Sequence, residues 1–323
     1  MLKVVLLYPI SILFSLIVKL RNLLYDKNIL SIEKSRIPII SIGNIDIGGT
    51  GKTPFVIALC QMMEKQNLHP LIITRGYKRQ SKELIFINNH HNLQYKVEDL
   101  GDEPYYIINS LSHTSMVVSS NKKKAVKFAN TLDGIDYIVL DDGYQTRYLQ
   151  KNIDVVLLNM NRSKNWYQLL PLGGLREPVK NLNRADFIYT IKGENSLSFK
   201  SKKLNVLFKV IEYKNGIQKN EPAIDEQKNW VSACGIGDPD FFNQTIKELN
   251  LNVVEKVAFE NHTYYDEQKI KKLEYLLQNN DGLITTYKDF VKLNQNFLNK
   301  YLIYVIKMEI EIDDKKLIRK LIS

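Results

Sequence analysis

Apolar residues in this chain gather into short, nearly unbroken runs separated by glycine-rich or polar turns. Between the runs lie stretches with helical spacing. The runs at 39–43, 70–74, 84–88, 115–119, 136–140, 154–159 and 187–190 are short enough for strands, and most are apolar on both faces. Helical patterns fall between several of them, notably at 122–131. Strands alternating with helices predict an α/β fold, a parallel sheet with helices on both faces. From about 200 the pattern changes. An extended run, 204–213, leads into a polar stretch containing Gly216 and Pro222. We read 201–228 as a link between domains. A second series follows: strands at 230–234, 253–259, 283–286 and 302–307, and helices at 239–249 and 266–278. This predicts a smaller α/β domain over 229–323, after a first domain over 27–200.

The start of the chain differs. Residues 4–18 are almost wholly apolar, broken by Pro9 and followed by Lys19 and Arg21. A small-residue cleavage pattern is missing, so a signal peptide is not predicted. The run is also short for a membrane span. Ser11, Ser15, Lys19, Asn22 and Asp26 recur at helical spacing as one narrow polar stripe, and the rest of the helix is greasy. The pattern predicts an amphipathic helix over 1–26 that lies in a membrane interface. A helix docked on the protein's own core, or a single span, remain open.

Composition narrows the choices. The chain has 323 residues, is 44% hydrophobic and carries a formal charge of +10, so it folds around real cores and favours anionic partners. Nucleotides, nucleic acids, phospholipid surfaces and phosphorylated substrates all qualify. Its two cysteines, Cys60 and Cys234, stand in apolar contexts and read as buried free thiols. No Cys/His spacing suggests zinc. His90 and His91 sit in a polar loop and read as exposed.

The chemistry begins after the first strand. Gly48-Gly49-Thr50-Gly51-Lys52-Thr53-Pro54 joins a buried strand to a helix. Glycines let backbone N–H groups turn toward an anion, Lys52 can reach outer phosphates, Thr53 can offer its hydroxyl to Mg²⁺, and the helix dipole adds positive potential. This is the tail of a Walker A loop. The first glycine of the usual pattern falls at Asp46, so the loop is a variant, and the domain is P-loop NTPase-like. A strand then ends in Asp141-Asp142-Gly143-Tyr144-Gln145, as a Walker B element does, with carboxylates for a metal. Asp102, in Gly101-Asp102-Glu103-Pro104, suits a general base, although spacing alone favours a helix cap. Arg75 and Arg176 stand at loop positions suited to phosphate contacts. His262 is the one histidine at a strand end within a polar cluster.

In order along nearly the whole chain, these segments resemble the tetraacyldisaccharide 4′-kinase family of lipid A biosynthesis. The resemblance takes in Tyr8-Pro9 and Arg21, Gly43-Asn44, the glycine loop, Arg75-Gly76-Tyr77, Gly101-Asp102-Glu103-Pro104, Asp141-Asp142-Gly143 with Gln145, Leu175-Arg176-Glu177-Pro178, Gly235-Ile236-Gly237 with Pro239, His262, and Lys288-Asp289. The family's loop also lacks the first Walker A glycine. The resemblance implies a kinase at the cytoplasmic face of the bacterial inner membrane. It would move the γ-phosphate of ATP to the 4′-hydroxyl of an acylated glucosamine disaccharide 1-phosphate, with Mg²⁺. Carried over, residues 48–54 bind ATP, with Lys52 on its outer phosphates; Thr53, Asp141 and Asp142 serve the metal. Asp102 is the base and His262 assists it. Asn44, Arg75, Gln145 and Arg176 face substrate. An anionic bilayer surface is an expected partner; nucleic acid and an obligate protein partner are not.

The chain departs from the family at Asn261, usually aspartate, at Thr146, often histidine, at Gly174, often proline, and at Tyr287, often glutamate. Asn261 puts a charge relay through that position in doubt. Two other readings use many of the same residues. A membrane-bound switch ATPase would need neither Asp102, Arg176 nor His262, and a kinase of a soluble metabolite would not need residues 1–26.

Overall fold

The computed structural model describes residues 2–88, 94–193, 199–215, 217–220, 222, 225 and 227–322; His90, His91 and Gly216 lie outside them. Two sheets organise the chain. The first holds β1 (Ile39–Gly43), β2 (Pro70–Thr74), β3 (Ile85–Ile87), β4 (Ser115–Val118), β5 (Tyr137–Asp141), β6 (Ile153–Asn159), β7 (Phe187–Lys192) and β8 (Lys202–Lys203). Their order is β3-β4-β2-β5-β1-β6-β7-β8, parallel except for β3, which runs antiparallel to β4 at the edge. Helices of this half are α1 (Leu2–Asp26), α2 (Lys52–Lys65), α3 (Val97–Leu100), α4 (Asp102–Asn109) and α5 (Lys122–Ala129).

The strand periodicity assigns the layers. Ile40, Ile42, Ile72 and Val139 pack with Phe55, Leu59 and Met63 of α2 and Ile107 of α4. Their neighbours Ile39, Leu71, Ile73, Ile138 and Leu140 point the other way, onto Ala125, Val126 and Ala129 of α5. Both faces of the sheet are therefore covered, as the unbroken apolar runs require. β1 lies between β5 and β6, and Ile42 pairs with Asp141, so the carboxyl ends of β1 and β5 adjoin.

The second sheet holds β9 (Asn205–Lys214), β10 (Ile217–Asn220), β11 (Trp230–Cys234), β12 (Val253–Ala258), β13 (Gly282–Thr286) and β14 (Ile303–Glu311), in the order β10-β9-β14-β13-β11-β12. Its helices are α6 (Pro239–Glu248), α7 (Glu267–Leu277), α8 (Tyr287–Phe290), α9 (Gln295–Lys300) and α10 (Lys315–Ile322). One expectation is corrected here. The stretch 201–228 is not a free link: β8 extends the first sheet, and β9 pairs antiparallel along the whole of β14 in the second. The alternation of 204–213 was the signal of a half-buried strand. A second boundary also shifts. The C-terminal helix α10 returns to the first core, where Leu317 and Leu321 are buried. Cys60 and Cys234 are buried free thiols.

α1 docks in an unusual sense. Ser11 donates to the Leu169 carbonyl at 3.0 Å, and Asn22 donates to Glu177 at 3.1 Å, with Arg21 also on Glu177 at 3.4 Å. Ser11 and Asn22 of its polar stripe thus face the protein, while Leu13, Leu16, Ile17 and Leu20 are each more than half exposed.

Candidate active site

Residues 44–51 turn from β1 into α2, and the turn is braced from below. Gly51 caps α2 in the left-handed region, φ 69°, with Ile191 packed where a side chain would go. Pro54 sits in the first helical turn, where it forfeits no helix hydrogen bond. Asn44, expected to face substrate, is instead fully buried and donates to Thr50 Oγ1 at 2.9 Å. Gln145 donates to the Asn44 carbonyl at 2.8 Å. Arg176 donates to Asn44 Oδ1 at 2.8 Å, to the Asp46 carbonyl at 3.0 Å and to Asp142 at 3.0 Å. Its guanidinium is thereby engaged in holding the loop rather than turned outward. Asp46, at the place of the missing glycine, is buried beneath the loop and accepts from Trp166 Nε1 at 3.3 Å. Burial pushes its carboxyl up, against Trp166, Lys52 and Arg176.

The two aspartates at the end of β5 divide, as residues pointing to opposite sides must. Asp141 is buried and accepts from Thr74 Oγ1 at 2.9 Å. Burial, then the charges of Glu103 and Asp142, push it up to about 6, against Lys52 and Lys122. Asp142 leaves the strand at φ 48° and meets Lys52 at 3.5 Å and Arg176 at 3.0 Å. Burial would raise its carboxyl too, but those two cations hold it well below the usual carboxylate range. Lys122 was not found from sequence. It opens α5, and its Nζ donates to the carbonyls of Asp141 at 2.7 Å and Asp142 at 2.6 Å, pinning the turn. Burial lowers it to about 8 despite both carboxylates. The signal was Asn121-Lys122 at the end of β4, a helix cap followed by a cation at the carboxyl edge of the sheet.

Asp102 does not cap α4. Gly101 does, with φ 89°, and Asp102 is the first helical residue. Its carboxylate accepts from the Glu103 N–H at 2.9 Å and lies 2.9 and 3.0 Å from His262 Nδ1, which comes from the second half of the chain. Lys292 stands 3.7 Å away. Burial would raise Asp102, yet the His262 hydrogen bond and the charges of Lys288 and Lys292 hold it well below the usual range. An ionised carboxylate only accepts, so Nδ1 carries the proton. His262 itself sits at φ 59°, with its N–H on the Gly235 carbonyl at 3.0 Å and its ring 5.0 Å from that of Tyr77. The carboxylate partner of the histidine is therefore Asp102, not a residue at 261. Asn261 offers its carbonyl to Lys78 at 3.2 Å.

The glycine loop, Glu103 and Lys288 open onto one cleft. A cavity of about 210 Å³ has residues 48–54 on one wall and Phe208, Phe241, Ile306 and Met308 on the other, with Glu103 and Lys288 at its rim. The Lys288–Glu103 pair, at 2.6 Å, ties the two halves together. Arg75 is exposed just beyond β2. The described residues hold no cluster of three or more His, Cys, Asp and Glu side chains able to cage a metal. Thr53, Asp141 and Asp142 are hard oxygen donors, which suits a magnesium ion that keeps water and phosphate oxygens as its other ligands.

Comparison with known proteins agrees. A family model described as tetraacyldisaccharide-1-P 4′-kinase, LpxK, matches residues 3–323. The tetraacyldisaccharide 4′-kinase of Aquifex aeolicus is 33% identical over 98% of both chains. That of Haemophilus influenzae is 32% identical over 93% of this chain and 86% of its own. A crystal structure of LpxK from Aquifex aeolicus in complex with ATP superposes with a TM-score of 0.78 at 29% identity, covering 100% of this chain and 98% of that one. The variant phosphate loop, the paired aspartates, the Asp102–His262 pair drawn from two halves and a match from end to end lead to one conclusion: this chain belongs to the tetraacyldisaccharide-1-phosphate 4′-kinase family, and it is a kinase.

Proposed function

We propose that this kinase transfers the γ-phosphoryl group of ATP to the 4′-hydroxyl of a tetraacylated glucosamine disaccharide 1-phosphate, with Asp102 as general base. The observation that carries this reading is the Asp102–His262 pair, 2.9 Å apart and assembled from both halves, next in sequence to Glu103, which lines the phosphate-loop cleft. A switch ATPase has no use for a buried carboxylate paired with a histidine from the other half of the chain. In the transfer, the acceptor oxygen bonds to the γ-phosphorus as the bond to the β–γ bridging oxygen breaks. ADP leaves with that electron pair, and the hydroxyl proton passes to Asp102. His262 Nδ1–H and Lys292 keep Asp102 ionised and oriented until then.

Backbone N–H groups of residues 48–53 and Lys52 would hold the phosphates, and the apolar wall of the cleft would take the adenine. Thr53, Asp141 and Asp142 would hold Mg²⁺, which when bound neutralises charge on the phosphate oxygens. Asn44, Gln145 and Arg176 position the loop; exposed Arg75 is left to meet anionic groups of the acceptor.

The outward apolar face of α1 supports a bilayer-bound acceptor. By length and composition α1 could span a membrane. Spanning would break the Ser11 and Asn22 contacts, so we place α1 in the interface of the cytoplasmic leaflet, where the basic chain meets anionic headgroups. The test is transfer from γ-labelled ATP to the acylated disaccharide 1-phosphate in mixed micelles. Labelled lipid that falls about 10²–10⁴-fold with Asp102→Ala supports the reading. Label released only as free phosphate, unchanged in the variant, leaves a switch ATPase instead.

A further inference from the structure

Arg162 lies just past β6, where the chain crosses the phosphate loop. Its guanidinium stacks on Trp166, 4.6 Å from the ring centroid, and stands 3.3 Å from Asp238 of the second half. Gly48, at φ +135°, runs directly beneath it: a Cβ there would come within 3.1 Å of Arg162 Nη2. The side chain is only 15% exposed; its Nε is buried without a hydrogen-bond acceptor, and Nη2, which faces Asp238 at 3.3 Å, makes an ion pair there without a well-aligned hydrogen bond. A guanidinium carries five donors and cannot shed its charge, so unmatched N–H groups at this depth are costly to keep. The fold nevertheless fixes them in place. Trp166 is anchored to Asp46 at 3.3 Å and packs where Gly174 has no side chain to obstruct it.

Gly48 is the third position of the variant loop, ahead of Lys52, and it lines the cleft. Lys52 and Arg176 are both engaged on Asp142, whereas Arg162 pairs with Asp238 from the second half and keeps its Nε without an acceptor. We infer that Arg162 is a catalytic arginine supplied within the chain. With ATP in the cleft, its guanidinium N–H groups meet the oxygens of the phosphoryl group over Gly48 and stabilise the charge that shifts as it transfers. Arg162 neither gives nor takes a proton. Its planar fork fits two phosphate oxygens at once, which a lysine cannot do. Asp238 caps α6, accepting from Phe241 N–H at 3.2 Å, and steadies the guanidinium from the second half. The arginine is thus aligned only where the two halves meet, as the Asp102–His262 pair is.

This inference rests on the kinase reading, and the experiment separates the two. Full-length wild type, Arg162→Ala and Arg162→Lys are compared in the micelle assay, with binding of a non-hydrolysable ATP analogue and thermal midpoints measured alongside. A transition-state role predicts that kcat falls about 10³-fold in Arg162→Ala, as arginine fingers do elsewhere, while analogue affinity falls less than about tenfold. Arg162→Lys keeps the stem and the charge and so the fold; its kcat still falls far below wild type, and free guanidinium at low concentration partly restores Arg162→Ala. Variants that keep wild-type kcat, or that lose analogue affinity and kcat in equal measure without guanidinium rescue, overturn the inference. Wild type that labels no lipid removes the kinase reading and the inference with it.

Discussion

Asp102 shows how much a single residue's role depends on what tertiary structure brings to it. Local sequence made it a helix cap; the fold gives the cap to Gly101 and gives Asp102 a histidine 160 positions away. No local pattern could announce that pairing. Its sign in pH can be worked out. The folded carboxyl is held below its unfolded value of about 3.9. Its contribution to stability is therefore fully present above that value and is lost as pH falls below it toward the folded pKa. In His262→Ala the largest stabilising partner is gone while burial remains, so the carboxyl titrates at higher pH. Urea unfolding from pH 7 to pH 3 should show wild type more stable near neutrality, with the gap closing as pH falls because the variant's carboxyl takes up a proton while the wild type's stays ionised. A gap that stays constant across the range would mean that His262 acts only by packing. Asn261 is explained at the same scale: with Asp102 supplying the carboxylate, an amide at 261 costs the histidine nothing.

Among elements, α1 and the loop around Gly174 carry the clearest consequences. The polar stripe of α1 was legible in the sequence, but its direction was not, because a stripe does not say which side meets protein. Ser11 and Asn22 on buried partners answer that. Replacing Leu16 and Leu20 by aspartate should leave the unfolding free energy within about 0.5 kcal/mol of wild type, since both side chains are exposed. The same double variant should lose vesicle binding and lipid phosphorylation while keeping its affinity for an ATP analogue. Retained vesicle binding would remove α1 as the anchor. Gly174, a departure from the family's usual proline, has its own reason: any side chain there enters the Trp166 ring. Its N–H donates to the Trp166 carbonyl at 2.8 Å and its carbonyl accepts from Ile47 N–H at 2.7 Å, so the turn is stitched to the phosphate loop. Proline would delete the first of these bonds. Gly174→Ala should displace the indole and quench or shift its tryptophan fluorescence. If Trp166 is the platform for Arg162, kcat should fall more than analogue affinity.

Across the whole molecule, the two sheets were legible and their separateness was overstated. Apolar runs betray strands, and alternation betrays a parallel sheet; neither reports which sheet a strand joins. β9 read as a link because its alternation of exposed and half-buried residues resembles an extended connection as much as an antiparallel strand. α10 is the sharper case. Asp314 caps it and also accepts from Tyr189 at 3.0 Å, Tyr137 donates to the Leu321 carbonyl at 2.8 Å, and Leu317 is fully buried against the face of the first sheet that carries α2. The last helix of the second half thus completes the first half's core. Leu317→Ala should cost about 2–5 kcal/mol, the range for a large side chain lost from a well-packed interior. Because the core is shared, that loss should move one cooperative urea transition to lower denaturant with its slope unchanged. Two independent domains would respond otherwise, with one transition moving and a second staying in place. An ATP analogue should then raise the midpoint of wild type and variant alike, since the cleft it fills is built from both halves and is absent once either unfolds.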